Sequence, residues 1–452
     1  MTAQQLFVKT ALVCALASAA VSTRAQAPVM DLKQVYQAAL EQDATIRASR
    51  AAADSGRERL PQARAGLLPQ ISASAGRNNN NLDTTAPNIL GTPVTTNEKY
   101  LSDNKTLQLR QPLVNMQRWL QFQQAKSVVE EVEANLDRDL QNLVVRVAGV
   151  YFEALMADEQ LDLVLAQKKT YTALVDAAKK GLAAGSGTRT DIDDAQSRLD
   201  MAAAQELEAR QNQDLARRQL QLLVNQPVNQ IAKLNVAALQ LSAPMPANLD
   251  DWTRKAEQAS PEIRAMQARL DAARREVSKA QAGHLPTVDA VAQWSNSGSE
   301  NITRVNSRFE NKTIGLQLNI PLYSGGYVNS TIRQAVAEQT RAEESLEALR
   351  RDLGVRVHKE YRGVSEGVLR VRALEQAARS AEQMMKSTQM SLTAGSRTQL
   401  DVLNAQQQFT LALRDLAQAR LVYLLSKVRL ASLVGDDAMV SVEQVNGSLR
   451  VR

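Results

Sequence analysis

The chain has 452 residues, of which 44% are hydrophobic and only 4% aromatic. Its 19 glycines and 12 prolines are few for this length, which argues against a compact fold rich in loops. The formal net charge is +6, but acidic residues such as Asp193 and Asp194 are interspersed with the basic ones, so the pattern does not predict nucleic-acid binding. The abundant Ala, Leu, Gln, Glu and Arg favour long helices, because they lose little side-chain freedom there.

The N-terminus has the pattern of a secretory signal peptide. Lys9 precedes an apolar run, and Ala25-Gln26-Ala27 supplies a small-x-small motif, so we expect residues 1–27 to be this signal. The single cysteine, Cys14, lies inside the apolar run, and the mature chain would contain no thiol or disulfide. No later stretch reaches the ~18 consecutive apolar residues of a membrane helix. We therefore expect an exported protein that no inner-membrane helix anchors.

The sequence contains an internal duplication. AGLLP at 65–69 recurs as AGHLP at 282–286, an offset of 217 residues, and AGS at 184–186 recurs at 394–396, an offset of 210. One unit repeated twice is the simplest interpretation. The predicted repeats are residues 28–237 and 238–452.

Each half begins with a helix of about 35 residues, at 31–65 and 248–282, that ends at Gly-x-x-Pro. Alternating apolar and polar residues then indicate strands with two different faces. The apolar positions of the clearest strands predict a lipid-facing surface at Leu107, Leu109, Ile314, Leu316, Leu318 and Ile320. The strands are predicted at about 68–86, 99–113, 286–299 and 306–322.

A long helical hairpin follows each strand pair. Apolar residues at three-and-four spacing, without proline, predict helices of ~70 residues, or roughly 100 Å, which need coiled-coil-like partners. Gly185 and Gly395 can end these helices, and hydroxyl side chains after them can cap the return helices. The hairpins are predicted at about 115–225 and 327–434.

The number of strands bears on the oligomeric state. A sheet exposed to lipid must close into a barrel, because open edges leave backbone groups unpaired. Four strands cannot close, and eight, from two chains, would give a barrel filled by its own side chains. Three chains give about twelve strands and a usable lumen. The strand count therefore favours a homotrimer in which the long helices continue the wall.

Four segments resemble the TolC family of outer-membrane efflux and type I secretion proteins. They are DLKQVYQAAL at 31–40, GHLPT at 283–287, LQLNIPLYSGGYVN at 316–329 and AGSRTQLDVLNA at 394–405. The resemblance covers nearly the whole mature chain. It implies a mainly α protein with a membrane β-barrel: a homotrimeric twelve-stranded barrel in the outer membrane of a Gram-negative cell, continued by a long periplasmic α-helical barrel. It also implies a mixed equatorial belt from about 226–247 and 435–452.

The resemblance implies a gated exit duct of a tripartite efflux pump or type I secretion system. Its partners would be a periplasmic adaptor and an inner-membrane transporter of the ABC or RND type. The adaptor would dock at the hairpin turns, which comprise Ala184, Gly185, Ser186, Ala394, Gly395 and Ser396. The nature of the exported substrate, whether drug, metal, polypeptide or polysaccharide, stays open.

Asp191 and Asp401 fall in the first turn of the return helices. The resemblance implies that three copies of each line a constriction, where carboxylates favour cations. Capping of the helix and pairing with its dipole explain an Asp at this position equally well. Arg397 matches a tip arginine that ties neighbouring hairpins, with Thr190 and Asp191 as its expected partners.

The sequence departs from the family at two positions of the predicted gate. Asn404 stands where the family has a second acidic residue, whereas the first half has Asp194 at the equivalent place. Leu392 replaces a tyrosine of the closing network. We therefore expect the charge at the mouth to be redistributed. The predicted gate comprises Thr190, Asp191, Asp194, Arg397, Asp401 and Asn404.

No enzymatic activity, cofactor or metal site is predicted. The two histidines, His284 and His358, are not at metal-ligand spacing, and no nucleophile elbow, P-loop or dinucleotide fingerprint occurs. The main alternative is an exported coiled-coil tether or adaptor without a pore, which would explain the rods but not the two-faced strands. A passive porin is disfavoured because simple diffusion makes no use of long helices.

Overall fold

The computed structural model describes residues 29–185, 187–300 and 307–450. The predicted signal peptide, with Cys14, lies outside the described residues, as does Ser186 of the first hairpin turn. The described part of the N-terminal half consists of short helices, two strands, a long helix and a return helix. These elements are α1 (Leu32–Gln42), α2 (Ala44–Arg57), α3 (Arg59–Ala65), β1 (Gln70–Pro87), β2 (Pro93–Val114), α4 (Met116–Ala183) and α5 (Arg189–Val224).

The C-terminal half has the same order of helices, two strands, a long helix and a return helix, with short elements before and after. These elements are β3 (Lys233–Leu234), α6 (Leu249–Ala259), α7 (Pro261–Gln281), β4 (Thr287–Ser299), β5 (Ser307–Asn319), α8 (Tyr327–Thr393), α9 (Gln399–Leu433), α10 (Ala438–Asn446) and β6 (Leu449–Arg450).

The first helix of each half is broken, whereas the sequence predicted a single helix. Asp43 has an extended backbone between α1 and α2, and its Oδ1 accepts a hydrogen bond of 3.0 Å from the N–H of Ile46. This carboxylate therefore caps α2. In the second half Pro261 occupies the first turn of α7 after the cap residue Ser260. Proline has no N–H to donate and suits the start of a helix.

One compact unit comprises residues Ala48–Asp139 and Glu257–Gly354. It contains an antiparallel four-stranded sheet in the order β1-β2-β4-β5. β2 begins at Pro93, six residues before the predicted start, because the Asn- and Thr-rich stretch pairs with β1 without any apolar alternation. β5 ends at Asn319, and Pro321, which lacks an N–H for the ladder, follows two residues later.

The other compact unit comprises the described residues up to Arg47, Leu140–Ala256 and the residues from Val355 onward. Tyr151 is fully buried in it, and its hydroxyl donates a 2.9 Å hydrogen bond to the carbonyl of Ala232. The segments predicted to form an equatorial belt meet here, since the backbone of β3 pairs with that of β6. The buried core includes Leu32, Val147, Leu220 and Val428.

Candidate functional site

Both helical hairpins turn on a glycine. Gly185 and Gly395 have φ angles of 75° and 76°, a left-handed conformation that glycine adopts without steric cost. Their N–H groups donate hydrogen bonds of 3.0 Å to the carbonyls of Leu182 and Leu392, which would otherwise lack helical partners. The two turns are therefore ended in the same way.

Each return helix begins with a reciprocal capping box. Oγ1 of Thr188 accepts from the N–H of Asp191 at 3.2 Å, and Oδ2 of Asp191 accepts from the N–H and hydroxyl of Thr188 at 2.9 and 2.7 Å. Thr398 and Asp401 repeat this arrangement at 3.2, 2.9 and 2.8 Å. Capping, one of the two roles weighed for these aspartates, is thus present in the single chain.

The second turn carries an additional cation. Nη1 of Arg397 lies 3.7 Å from Oδ1 of Asp401 on the same hairpin. The hydrogen bonds from Thr398 lower the pKa of Asp401, and the charge of Arg397 lowers it further. Asp401 is therefore ionised at neutral pH. The expected partners of Arg397, Thr190 and Asp191, lie on α5 of the other hairpin, whereas its ion pair in this chain is within its own turn.

An arginine that the sequence did not single out links the two hairpins. Nη2 of Arg198 on α5 donates a 2.8 Å hydrogen bond to Oδ1 of Asn404 on α9, and Nη1 donates to Gln407 of the same helix. Asp194 lies one turn before Arg198 and is partly exposed. The four-residue spacing of Asp194 and Arg198 is the only sequence pattern that suggests a role for Arg198. It predicts an ion pair within α5 rather than a contact between the hairpins.

The residues around the turns are exposed, while a small apolar cluster lies beneath them. Thr190 is exposed, and so are the described members of the predicted docking set, which are Ala184, Gly185, Ala394, Gly395 and Ser396. Leu392, which replaces the family's tyrosine, packs against the cluster from α8. The cluster draws on both hairpins and consists of Tyr171, Leu174, Ala202, Val402 and Leu403.

The sheet has one apolar and one polar face. Residues directly opposite each other in antiparallel strands point to the same face, and the register aligns Ile71, Leu109, Ala292 and Ile314 in one row across all four strands. The side chain of Ile314 is 89% exposed, so nothing in the described part of the chain covers this face there. Five predicted lipid-facing residues lie on this face: Leu107, Leu109, Ile314, Leu316 and Leu318. The sixth, Ile320, follows the end of β5.

The opposite face contains polar residues and an ion pair. Arg110 on β2 donates from Nη2 to Oδ2 of Asp289 on β4 at 2.5 Å, and Asp289 is only 4% exposed. Ser72, Gln108 and Gln293 share this face. Each strand of the sheet thus separates an apolar surface from a polar one.

Among the described residues, one helix is long and apolar enough to cross a membrane. It is α4, and less than half of its most apolar 18-residue segment is buried. Core helices pass the same test, so this feature is weak support for a span. In the same part of the chain no group of three or more His, Cys, Asp or Glu side chains is placed to hold a metal ion.

The fold is that of a TolC-like outer-membrane channel. The chain matches CusC with a TM-score of 0.77 and 17% identity, over 90% of this chain and 92% of that one. It matches the outer-membrane channel OprN with a TM-score of 0.76 and 18% identity, over 90% of each chain. The outer membrane protein VceC of Vibrio cholerae gives 0.75 and 18%, over 90% and 96%. At these identities the likeness shows the fold alone.

Sequence relatives identify the family. The outer membrane efflux protein model matches residues 35–226 and 252–436. The proteases secretion protein PrtF of Dickeya chrysanthemi is 31% identical over 90% of this chain and 89% of its own length. The alkaline protease secretion protein AprF of Pseudomonas aeruginosa is 32% identical over 95% and 90%, and TolC of Escherichia coli is 29% identical over 90% and 82%.

The chain therefore belongs to the outer membrane efflux protein family. The resemblance to the TolC family, the outer-membrane location and the role as an efflux duct are confirmed. Members of the family are channels, and this membership supports the prediction that the chain is not an enzyme.

Proposed function

We propose that three copies of the chain close a twelve-stranded barrel in the outer membrane, and that their helical hairpins continue the wall as a periplasmic α-helical barrel. The four-stranded sheet carries this proposal. One of its faces is apolar over the strand ends next to the helices, and in the described chain its outer strands β1 and β5 each have a single neighbour. Backbone groups at such edges cannot stay unpaired in lipid. Three sheets give each edge a partner and leave room for a lumen.

The polar face of the sheet would line the lumen, and the apolar face would contact lipid. Arg110 and Asp289 would then lie on the lumen side of the sheet, where an ion pair is tolerated. The two halves of the chain are proposed to be repeats of one unit. The repeated element order and the matched capping boxes at Thr188 and Thr398 support this duplication.

The hairpin turns are proposed as the periplasmic gate. Asp191 and Asp401 begin the return helices, so three copies of each would form rings of carboxylates around a constriction. Such rings attract cations, and the lowered pKa of Asp401 keeps its charge at neutral pH. The exposed residues beside Gly185 and Gly395 would receive the adaptor, because the turns carry small side chains that permit close approach.

The exported substrate is proposed to be a polypeptide, delivered by type I secretion through an inner-membrane transporter and a periplasmic adaptor. PrtF and AprF are both named for protease secretion, and they match 90% and 95% of this chain. Their alignments extend through both hairpins and both strand pairs, so the likeness is not confined to one element.

Deletion of the gene in its own host tests this proposal. We expect one or more polypeptides to disappear from the medium, while susceptibility to drugs stays unchanged. The wild-type chain should fractionate with outer membranes, require detergent and run as a heat-sensitive trimer on gels. An unchanged set of secreted proteins with raised drug susceptibility would contradict the substrate, and a soluble monomer would support the tether instead of the duct.

A further inference from the structure

The apolar face of the sheet ends at a defined position on every strand. Helices adjoin the sheet at the end that contains Gln70 and Asn319, so the strand ends that carry the β1–β2 and β4–β5 connections are distal. Moving toward the distal end, the outward apolar series runs without interruption to Ala75, Leu107, Trp294 and Ile314, and Leu101 lies farther out on β2. The next outward residues on β1, β2, β4 and β5 are Arg77, Lys105, Asn296 and Lys312.

This boundary is slanted relative to the hydrogen-bonded rows. The hydrogen-bonded register assigns the boundary on each strand to a position on β1. These positions are 76 for β1, 74 for β2, 74 for β4 and 72 for β5, so the boundary shifts by four residues across the sheet. Strands tilted by ~40° predict such a slant. Three strand spacings of ~4.8 Å span ~14 Å across the sheet. At this tilt a level boundary shifts by ~12 Å along the strands over that width, or about 3.5 residues.

The boundary therefore has the form expected where a flat membrane surface crosses tilted strands. Trp294 is the last apolar residue on β4, and tryptophan is enriched at membrane interfaces. Three of the four side chains just beyond the boundary are cations, and the exception is Asn296 on β4.

The neutral Asn296 divides these cations into clusters. In the closed barrel proposed above, β5 of one protomer neighbours β1 of its partner. Lys312 of one protomer would then stand beside Arg77 and Lys105 of the next at the same depth in the membrane. Two strand spacings and the offset along the tilted strands separate the outer members by ~12.5 Å. Each of the three seams between protomers thus gains three adjacent cations.

The carboxylates near these cations leave the cations accessible to a ligand. Nζ of Lys312 lies 3.1 Å from Glu310, yet the lysine side chain is 74% exposed. Asp103 is opposite Arg77 in the register, but its carboxylate lies over Gly298, where an added Cβ would be 2.6 Å from Oδ1. It is therefore turned toward β4, away from β1. Within the described part of the chain, Arg77 and Lys105 make no ion pair.

We propose that each seam binds the phosphate groups of an outer-leaflet lipid, at three sites per trimer. The inference rests on the proposed trimeric barrel. Arginine and lysine bind phosphate by charge-assisted hydrogen bonds, and basic residues at a membrane surface attract anionic lipid over about one Debye length. A lipid held by two protomers would also strengthen the seam between them.

The test titrates the purified full-length trimer in detergent with bis-phosphorylated lipid A and with its dephosphorylated form, and counts bound lipids by native mass spectrometry. The triple variant Arg77→Gln, Lys105→Gln, Lys312→Gln removes the cations. A charge-matched control, Arg47→Gln, Lys169→Gln, Lys179→Gln, removes three exposed helical cations outside the sheet. A conservative triple, R77K/K105R/K312R, retains the charge.

We expect three phosphorylated lipids per wild-type trimer and at least about a tenfold loss of affinity in the glutamine triple. The control and the conservative triple should bind like wild type, and added salt should weaken binding. Equal affinity of the wild type for phosphorylated and dephosphorylated lipid would overturn the inference, and that comparison does not depend on any variant folding. Equal affinity of the wild type and the glutamine triple would also overturn it.

Failure of the inference and failure of the proposed barrel give different results. A wild-type protein that forms a heat-sensitive trimer and conducts in planar bilayers, but ignores lipid phosphates, contradicts the lipid site alone. A wild-type protein that neither forms a trimer nor conducts contradicts the barrel itself.

Discussion

Arg198 joins the two helical hairpins near their turns, and replacing it with glutamine is expected to loosen the closed channel. Its guanidinium donates to Asn404 and Gln407, both on the other hairpin. These hydrogen bonds are exposed, so each link contributes roughly 0.7 kcal/mol in net terms. If opening separates the hairpins, three links per trimer amount to about 2 kcal/mol, or roughly a 30-fold shift toward the open state at ~1.4 kcal/mol per factor of ten.

The assay is single-channel recording in planar bilayers, with the open fraction as the readout. Arg218→Gln is the matched control, because Arg218 pairs with Asp214 on its own helix. Asn404→Asp gives the opposite test, since a carboxylate would strengthen the bond from Arg198 and lower the open fraction. Equal open fractions for Arg198→Gln and Arg218→Gln, or a rise with Asn404→Asp, would refute the reasoning.

Three further predictions concern charges of the hairpin unit. Arg397→Ser should raise single-channel conductance by loosening the tip, and unchanged conductance would remove this residue from the gate. Asp191→Ala with Asp401→Ala should reduce cation preference, and so should the paired Asn variants, which keep the capping acceptors; an unshifted reversal potential in a salt gradient would exclude the ring. Burial raises the pKa of Glu159, and the charge of Lys233 opposes the rise. The folded protein therefore favours the protonated carboxyl, and stability present at low pH is lost as the pH rises through the raised pKa. Glu159→Gln should therefore raise the melting temperature at pH 8, with a gain that shrinks toward pH 4; a gain independent of pH would contradict this cause.

The sequence predicted the hairpin turns because their chemistry is local. A glycine that adopts a left-handed conformation, followed three residues later by Thr and then by Asp, specifies the turn and its capping box within a few residues. Gly185 with Thr188 and Gly395 with Thr398 both fold in this way. The apolar face of the sheet was predictable for a similar reason, since alternation along one strand determines which residues share a face.

Contacts that depend on distant parts of the chain could not be predicted in this way. The partners of Arg198 lie more than 200 residues away in sequence, and their proximity depends on how the two hairpins pack. The break at Asp43 was missed because one polar residue within an amphipathic pattern does not reveal whether its side chain caps a helix. The distal part of β2 was missed because its polar residues lack the alternation that marks a two-faced strand.

The closed barrel is tested most directly by crosslinking its outer strands. The only cysteine in the sequence is Cys14 of the predicted signal peptide, so cysteines placed by Ala75→Cys and Ile314→Cys would be the only thiols of the mature chain. Within one chain β1 and β5 are three strand spacings apart, ~14 Å. A reagent that spans ~10 Å should therefore join neighbouring protomers into a covalent trimer in native outer membranes. Crosslinked chains that remain monomers on denaturing gels would contradict the trimeric duct.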